Sequence, residues 1–252
     1  MNKIFLVSLI LLIYIYGCKR GEPDNDIVNP PPGITTLQPI KTIDLSGVIP
    51  EPSGITYNSK NNSLWVVSDE KPDFFEIDLN GNLIKKITSD GYDMEGLDLT
   101  KNCDTIYVVE ESSKLVTTFL TNGTRISSFT VDVATNPSNI LEGITIDKSN
   151  HLFVLNEKLP RLMIEFAAAS EMSRRELTYT TDISDICYDE QLDCFWIVSD
   201  ESKKIIKISK TGILLTEWQI PFEKGEGITF VQDKMYIVCD SDAKMYIFNK
   251  PD

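Results

Sequence analysis

The chain has 252 residues with 24 basic and 38 acidic side chains, for a formal net charge of −14. That balance argues against nucleic acid or anionic lipid headgroups as electrostatic partners and favours cations or cationic ligands. Of the five cysteines, none stands in a CxxC or Cys/His spacing, so a zinc site has no support.

Residues 1–17 read as a signal segment. Lys3 supplies a basic start, and Ile4 to Tyr16 form an apolar run of 13 residues, too short for a comfortable membrane span. The run ends in "IYGC", which resembles the lipobox of bacterial lipoproteins. The resemblance implies cleavage before Cys18, lipidation of Cys18 and anchoring to a membrane of the cell envelope, facing periplasm or cell surface. Residues 18–38 are polar and Pro-rich with no apolar periodicity, as expected of a tether. Residues 39–252 are enough for one domain with its own core.

Within that domain one design recurs five times: "PSGITYNSKNNSLWVVSDE", "MEGLDLTKNCDTIYVVEES", "LEGITIDKSNHLFVLNE", "ISDICYDEQLDCFWIVSDE" and "GEGITFVQDKMYIVCDS". Aligned positions Gly54, Gly96, Gly143, Asp185 and Gly227 are separated by 42, 47, 42 and 42 residues. A sustained period of this length marks a solenoid or propeller. Runs such as "LWVVS" and "FWIVS" are β-branched and aromatic, which excludes helical repeats. Two further strand-like runs follow in most repeats, joined by turns such as "LNGN", "TNGT" and "KTG". Four strands per repeat make one propeller blade.

The expected fold is therefore an all-β, five-bladed propeller of four-stranded blades, with six blades as the alternative. The last repeat has only three strands, and residues 39–49, "PIKTIDLSGVI", are expected to complete it and close the ring. The pattern "EGIT…L(W/Y)VV(S)DE" over residues 40–249 resembles the SdiA-regulated family of bacterial envelope proteins, and with the lipobox its lipoprotein members. That resemblance implies a β-propeller at the cell envelope and no defined activity.

Acids recur at two positions of the repeat. The first ring holds Glu95, Glu142 and Glu226; where the repeat has Ser53 or Ser184, Glu51 and Asp182 stand two residues earlier, on the same side of an extended strand. The second ring is Asp69, Glu111, Glu157, Asp200 and Asp240. Both fall on one face of a propeller. Converging carboxylates must bind a cation, take up protons or accept hydrogen bonds. Calcium suits the first ring, since it takes 6–8 oxygen ligands in flexible geometry. For the second ring the blander role is capping the following turn by accepting amide hydrogens.

Catalytic signatures are otherwise missing. His151 is the only histidine and falls at a hairpin turn, so no Ser-His-Asp triad can be built. The recurring aromatics Trp65, Tyr107, Phe153, Trp196 and Tyr236 read as core, and the lysines after the second ring as partners of local acids. Cys187 and Cys194 flank one hairpin turn and are either a disulfide or two free thiols. The functional expectation is a monomeric envelope module that binds a ligand or partner protein on its acid-rich face, with calcium at the channel mouth. A calcium-dependent esterase or phosphatase and a purely structural envelope protein are the alternatives.

Overall fold

The computed structural model describes residues 33–133 and 141–252. The signal segment, Cys18 and residues 18–32 of the tether lie outside the described residues. The strands, numbered in chain order, form five antiparallel four-stranded sheets arranged as a propeller. The innermost strands are β2 (Pro52–Asn58), β6 (Met94–Leu99), β10 (Leu141–Ile146), β14 (Asp185–Asp189) and β18 (Gly225–Val231). Next outward lie β3 (Ser63–Ser68), β7 (Thr105–Glu110), β11 (His151–Asn156), β15 (Cys194–Ser199) and β19 (Lys234–Cys239). The third tier is β4 (Asp73–Ile77), β8 (Leu115–Leu120), β12 (Leu162–Ala167), β16 (Lys204–Ser209) and β20 (Lys244–Asn249). The outer edges are β5 (Leu83–Thr88), β9 (Arg125–Thr130), β13 (Ser170–Glu176), β17 (Leu214–Gln219) and β1 (Lys41–Asp44).

The pleat explains the continuous apolar runs. Successive residues of a strand point to opposite faces, and each inner blade is covered on both faces by its neighbours. Leu64 and Val66 of β3 pack with Val238 and Met245 of the fifth blade, while Trp65 and Val67 pack with Met94 and Val108 of the second. Five such interblade clusters form the core, and four of the five recurring aromatics are buried in them; Tyr107 packs partly buried.

The expected closure requires correction, because no sheet closes into a circle. Each of the five is an open sheet with a free outer edge. The amino-terminal strand does lie beside β20, pairing Lys41 with Ile247 and Asp44 with Lys244, but it is four residues long where eleven were expected. It ends because the Asp44 carboxylate accepts the Ser46 amide at 2.9 Å, turning the chain so that Leu45 and Ile49 drop into the core. The ring is joined by side-chain packing between the fifth and first blades. Before β1, the chain makes a parallel bridge from Thr36 to Gln219 at the rim of blade four.

The hairpin of β14 and β15 also decides the cysteine question. Its register sets Cys187 opposite Trp196 and Cys194 opposite Asp189, so the two thiols do not face each other, and all four described cysteines are free.

Candidate cation site at the acidic mouth

The inner strands meet around the axis at a neck made by the repeat glycines. A Cβ on Gly143 would fall 2.7 Å from the Asp185 Cα, and one on Gly227 would fall 2.8 Å from the Ser53 carbonyl oxygen. Gly54 and Gly96 meet the carbonyl oxygens of Glu95 and Glu142 in the same way. Glycine recurs there because only a missing side chain lets the strands approach. In blade four Asp185 takes the place; its Oδ2 accepts the Ile228 amide at 2.9 Å, and burial drives the group well above the ordinary carboxylate range.

One residue before the neck, Glu95, Glu142 and Glu226 line a cavity of about 180 Å³, together with Ser53. All five acids of the second ring line it too: Asp69, Glu111, Glu157, Asp200 and Asp240. The capping role expected of this second ring falls largely to its main chain. The carbonyls of Glu111, Asp200 and Asp240 accept the amides of Lys114, Lys203 and Ala243 three residues on, at 3.0–3.1 Å. Those three residues take positive φ. With the turn closed by the carbonyl, the carboxylates are left to face the mouth.

Glu51 and Asp182 do not line this cavity. The period-two argument holds only for extended backbone, and Glu51 sits at φ 42° beside a bulge at the start of β2, which leaves its side chain exposed. Asp182 is fully buried before β14 begins, accepting the Ser199 hydroxyl at 2.6 Å. Two mouth residues were missed from sequence, Asp93 and Lys224. Both stand two residues before a first-ring glutamate, at the same offset as Glu51, with φ of 55° and 58°.

Asp93, Glu95 and Glu111 each offer one carboxylate oxygen, and these oxygens lie within 4.8 Å of one another. Oxygens on opposite sides of a calcium ion, at 2.3–2.6 Å each, would stand about 5 Å apart, so the group is able to hold a cation. Asp93 is fixed locally: its carbonyl accepts the Glu111 amide at 2.9 Å and its Oδ2 the Ser112 amide at 3.1 Å. Across the mouth, Glu157 is 7% exposed, and its Oε2 has no hydrogen-bond partner among the described residues. Its Oε1 pairs with Lys158 at 3.0 Å.

The crowding appears in the protonation equilibria. Burial and then the charges of Asp200 and Asp240 push Glu226 up to about 8. Burial raises Glu157 to about 7 and, with help from Glu51, Asp69 to about 6. Glu95 and Glu142 are driven well above the usual range, first by burial and then by Asp69 and Glu95 respectively. Lys224 is the counter-charge within the wall, 2.9 Å from Asp200 and 3.7 Å from Glu226. The other loop lysines pair locally, as Lys71 with Glu70 and Lys203 with Glu223. His151 bonds Glu165 through Nδ1 at 2.7 Å, far from this mouth in the repeat.

A sequence model described as SdiA-regulated matches residues 36–180 and 171–250. Among solved structures, the chain is similar to one of a nidogen/laminin complex, at 14% identity and TM-score 0.58, covering 79% of this chain and 75% of that one. It is similar to a luciferin-regenerating enzyme at 12% identity and TM-score 0.54, covering 84% and 94%. It is also similar to a streptogramin B lyase at 15% identity and TM-score 0.51, covering 84% and 73%. At these identities the likeness is one of fold.

Proposed function

The chain belongs to the SdiA-regulated family, and from that premise we propose that it is a cell-envelope propeller whose acidic mouth holds a calcium ion and presents it to a ligand or partner protein. The observation that carries this reading is the convergence of Asp93, Glu95 and Glu111, opposite the buried and unpartnered oxygen of Glu157. A buried carboxylate oxygen without a donor is costly, and a cation relieves it while relieving the repulsion of its neighbours. Anchoring through Cys18 is part of the proposal. Among the described residues no helix is long and apolar enough to cross a membrane.

Calorimetric titration of the domain with calcium, and separately with magnesium, tests the reading. Calcium at a hundredfold excess over its dissociation constant should stabilise the fold by about 2.7 kcal/mol. Asp93→Asn and Glu95→Gln should each lose that response. Absence of a calcium response in the wild type sinks the proposal.

The calcium-dependent esterase or phosphatase remains a second reading, favoured by one observation. Glu226 and Glu157 are held near neutrality beside Lys224, as a general acid/base pair with an anion-binding group would be. Turnover of phosphate or carboxylate esters that stops on adding chelator would decide for the enzyme.

A further inference from the structure

The opposite end of the axis carries a second cavity, of about 370 Å³, within the range of small-molecule sites. It lies two residues beyond the neck, so the two mouths are separated by three residues of each inner strand, about 10 Å. At that level the five blades contribute Thr56, Asp98, Thr145, Cys187 and Thr229, and all five line the cavity. Tyr57, Tyr188 and Phe230 form its upper wall.

The hydrogen bonding of this ring has a direction. Asp98 accepts the Thr56 hydroxyl at 2.7 Å and the Thr145 hydroxyl at 2.9 Å, with the amides of Leu99 and Ile146 at 2.8 and 2.9 Å. Four neutral donors hold one carboxylate, and no lysine or arginine ion-pairs with it among the described residues. Because both threonines spend their hydrogens on Asp98, their remaining lone pairs are what they can offer the cavity. The floor is thus an acceptor surface backed by a negative charge. Lys101, Lys148 and Lys210 at the rim are each paired, with Glu190, Asp193 and Asp147, so they do not oppose a cation.

We propose that this mouth is a second binding site, selective for a small organic molecule that carries a primary ammonium group. The three N–H donors of the ammonium meet the Thr56, Thr145 and Thr229 oxygens over Asp98, and its organic body lies against Tyr57, Tyr188 and Phe230. A bare metal ion is the poorer occupant, because the cavity is far larger than an ion and offers a single carboxylate, already bonded four times. An anion would face the oxygen lone pairs and the charge behind them.

Calorimetry on the folded domain with ethanolamine, phenethylamine and 1,4-diaminobutane, against 2-phenylethanol and 3-phenylpropanoate, tests the proposal. At least one amine should bind, and phenethylamine at least tenfold more tightly than the alcohol of the same shape. Binding should persist in saturating calcium and in Glu95→Gln, and should be lost in Cys187→Phe, which fills the cavity without touching Asp98. Asp98→Asn should weaken it at least tenfold; if that variant does not fold, the Cys187→Phe result decides. The proposal is overturned if none of the amines binds, if the alcohol binds equally, or if calcium displaces the amine, which would place it in the acidic mouth.

Discussion

Lys224 is tied to Asp200 twice, by its amide to Oδ1 at 2.6 Å and by its ammonium to Oδ2 at 2.9 Å. The backbone bond sets the side chain's origin, so the ammonium is held between Asp200 and Glu226 and neutralises one half of the mouth. The other half, around Asp93, Glu95 and Glu111, is left for a mobile cation. Replacing Lys224 with Met should lower the melting temperature in chelator, because three carboxylates lose their counter-charge. It should also tighten calcium binding by about threefold or more. Titration calorimetry and thermal melts of the two proteins check both signs.

The raised carboxylates make the metal-free fold sensitive to alkali. A carboxyl whose folded value lies above its unfolded one contributes stability below the unfolded value and loses it as the pH rises through the folded one. Glu226, Glu157 and Asp69 rise from 4.5, 4.5 and 3.8 to about 8, 7 and 6. Stability in chelator should therefore fall between about pH 4 and pH 8, each such group contributing up to ~1.4 kcal/mol per unit of its shift. Calcium should flatten the decline, and its binding near pH 7 should release protons, measurable as a buffer-dependent enthalpy.

The glycine neck predicts a contrast between two small substitutions. Gly96→Ala places a methyl against the Glu142 carbonyl, where backbone must move, and should cost about 1–3 kcal/mol. Gly47→Ala meets nothing within 4 Å and should be within about 0.5 kcal/mol of wild type. Denaturant unfolding of the pair measures the difference.

Glu110 is the most thoroughly bonded acid outside the mouths. Its side chain is 2% exposed and accepts Arg125 at 2.9 Å, the Thr117 hydroxyl at 2.7 Å and the Tyr92 amide at 2.9 Å. Glu110→Ala leaves Arg125 and Thr117 unsatisfied and should cost about 3–5 kcal/mol. The calcium response should survive in whatever fraction folds, because Glu110 does not line the mouth.

The blades were legible because the pleat writes itself into the sequence: "LWVVS" can be apolar at every position only if both faces are covered. The second acid ring was legible for the same reason, since it follows a strand of fixed length. Asp93, Glu51 and Lys224 were not, because left-handed backbone at that one offset breaks the alternation on which the reading of faces depends. The same offset carries an acid in two of these blades and a lysine in the third, so the signal lay in the position rather than in the residue type. Ring closure was misjudged because an Asx turn at Asp44 ends a strand whose composition alone would allow it to continue. The Thr–Asp98 ring left no trace, since a threonine in a strand is ordinary until its hydroxyl's partner is known.

The path of the chain into the propeller bears on how it resists load. Within ten residues it is fastened first to blade four, where Gln219 exchanges bonds with Thr35 and Leu37 at 2.9 and 2.8 Å, and then to blade five through β1. Tension applied from the amino-terminal side reaches those two bonds before any other part of the fold. Each is worth about 1 kcal/mol net, whereas the hub is held by five apolar clusters. The rim is a mechanical fuse: it yields under a weak pull and lets the leader peel away while both mouths keep their shape.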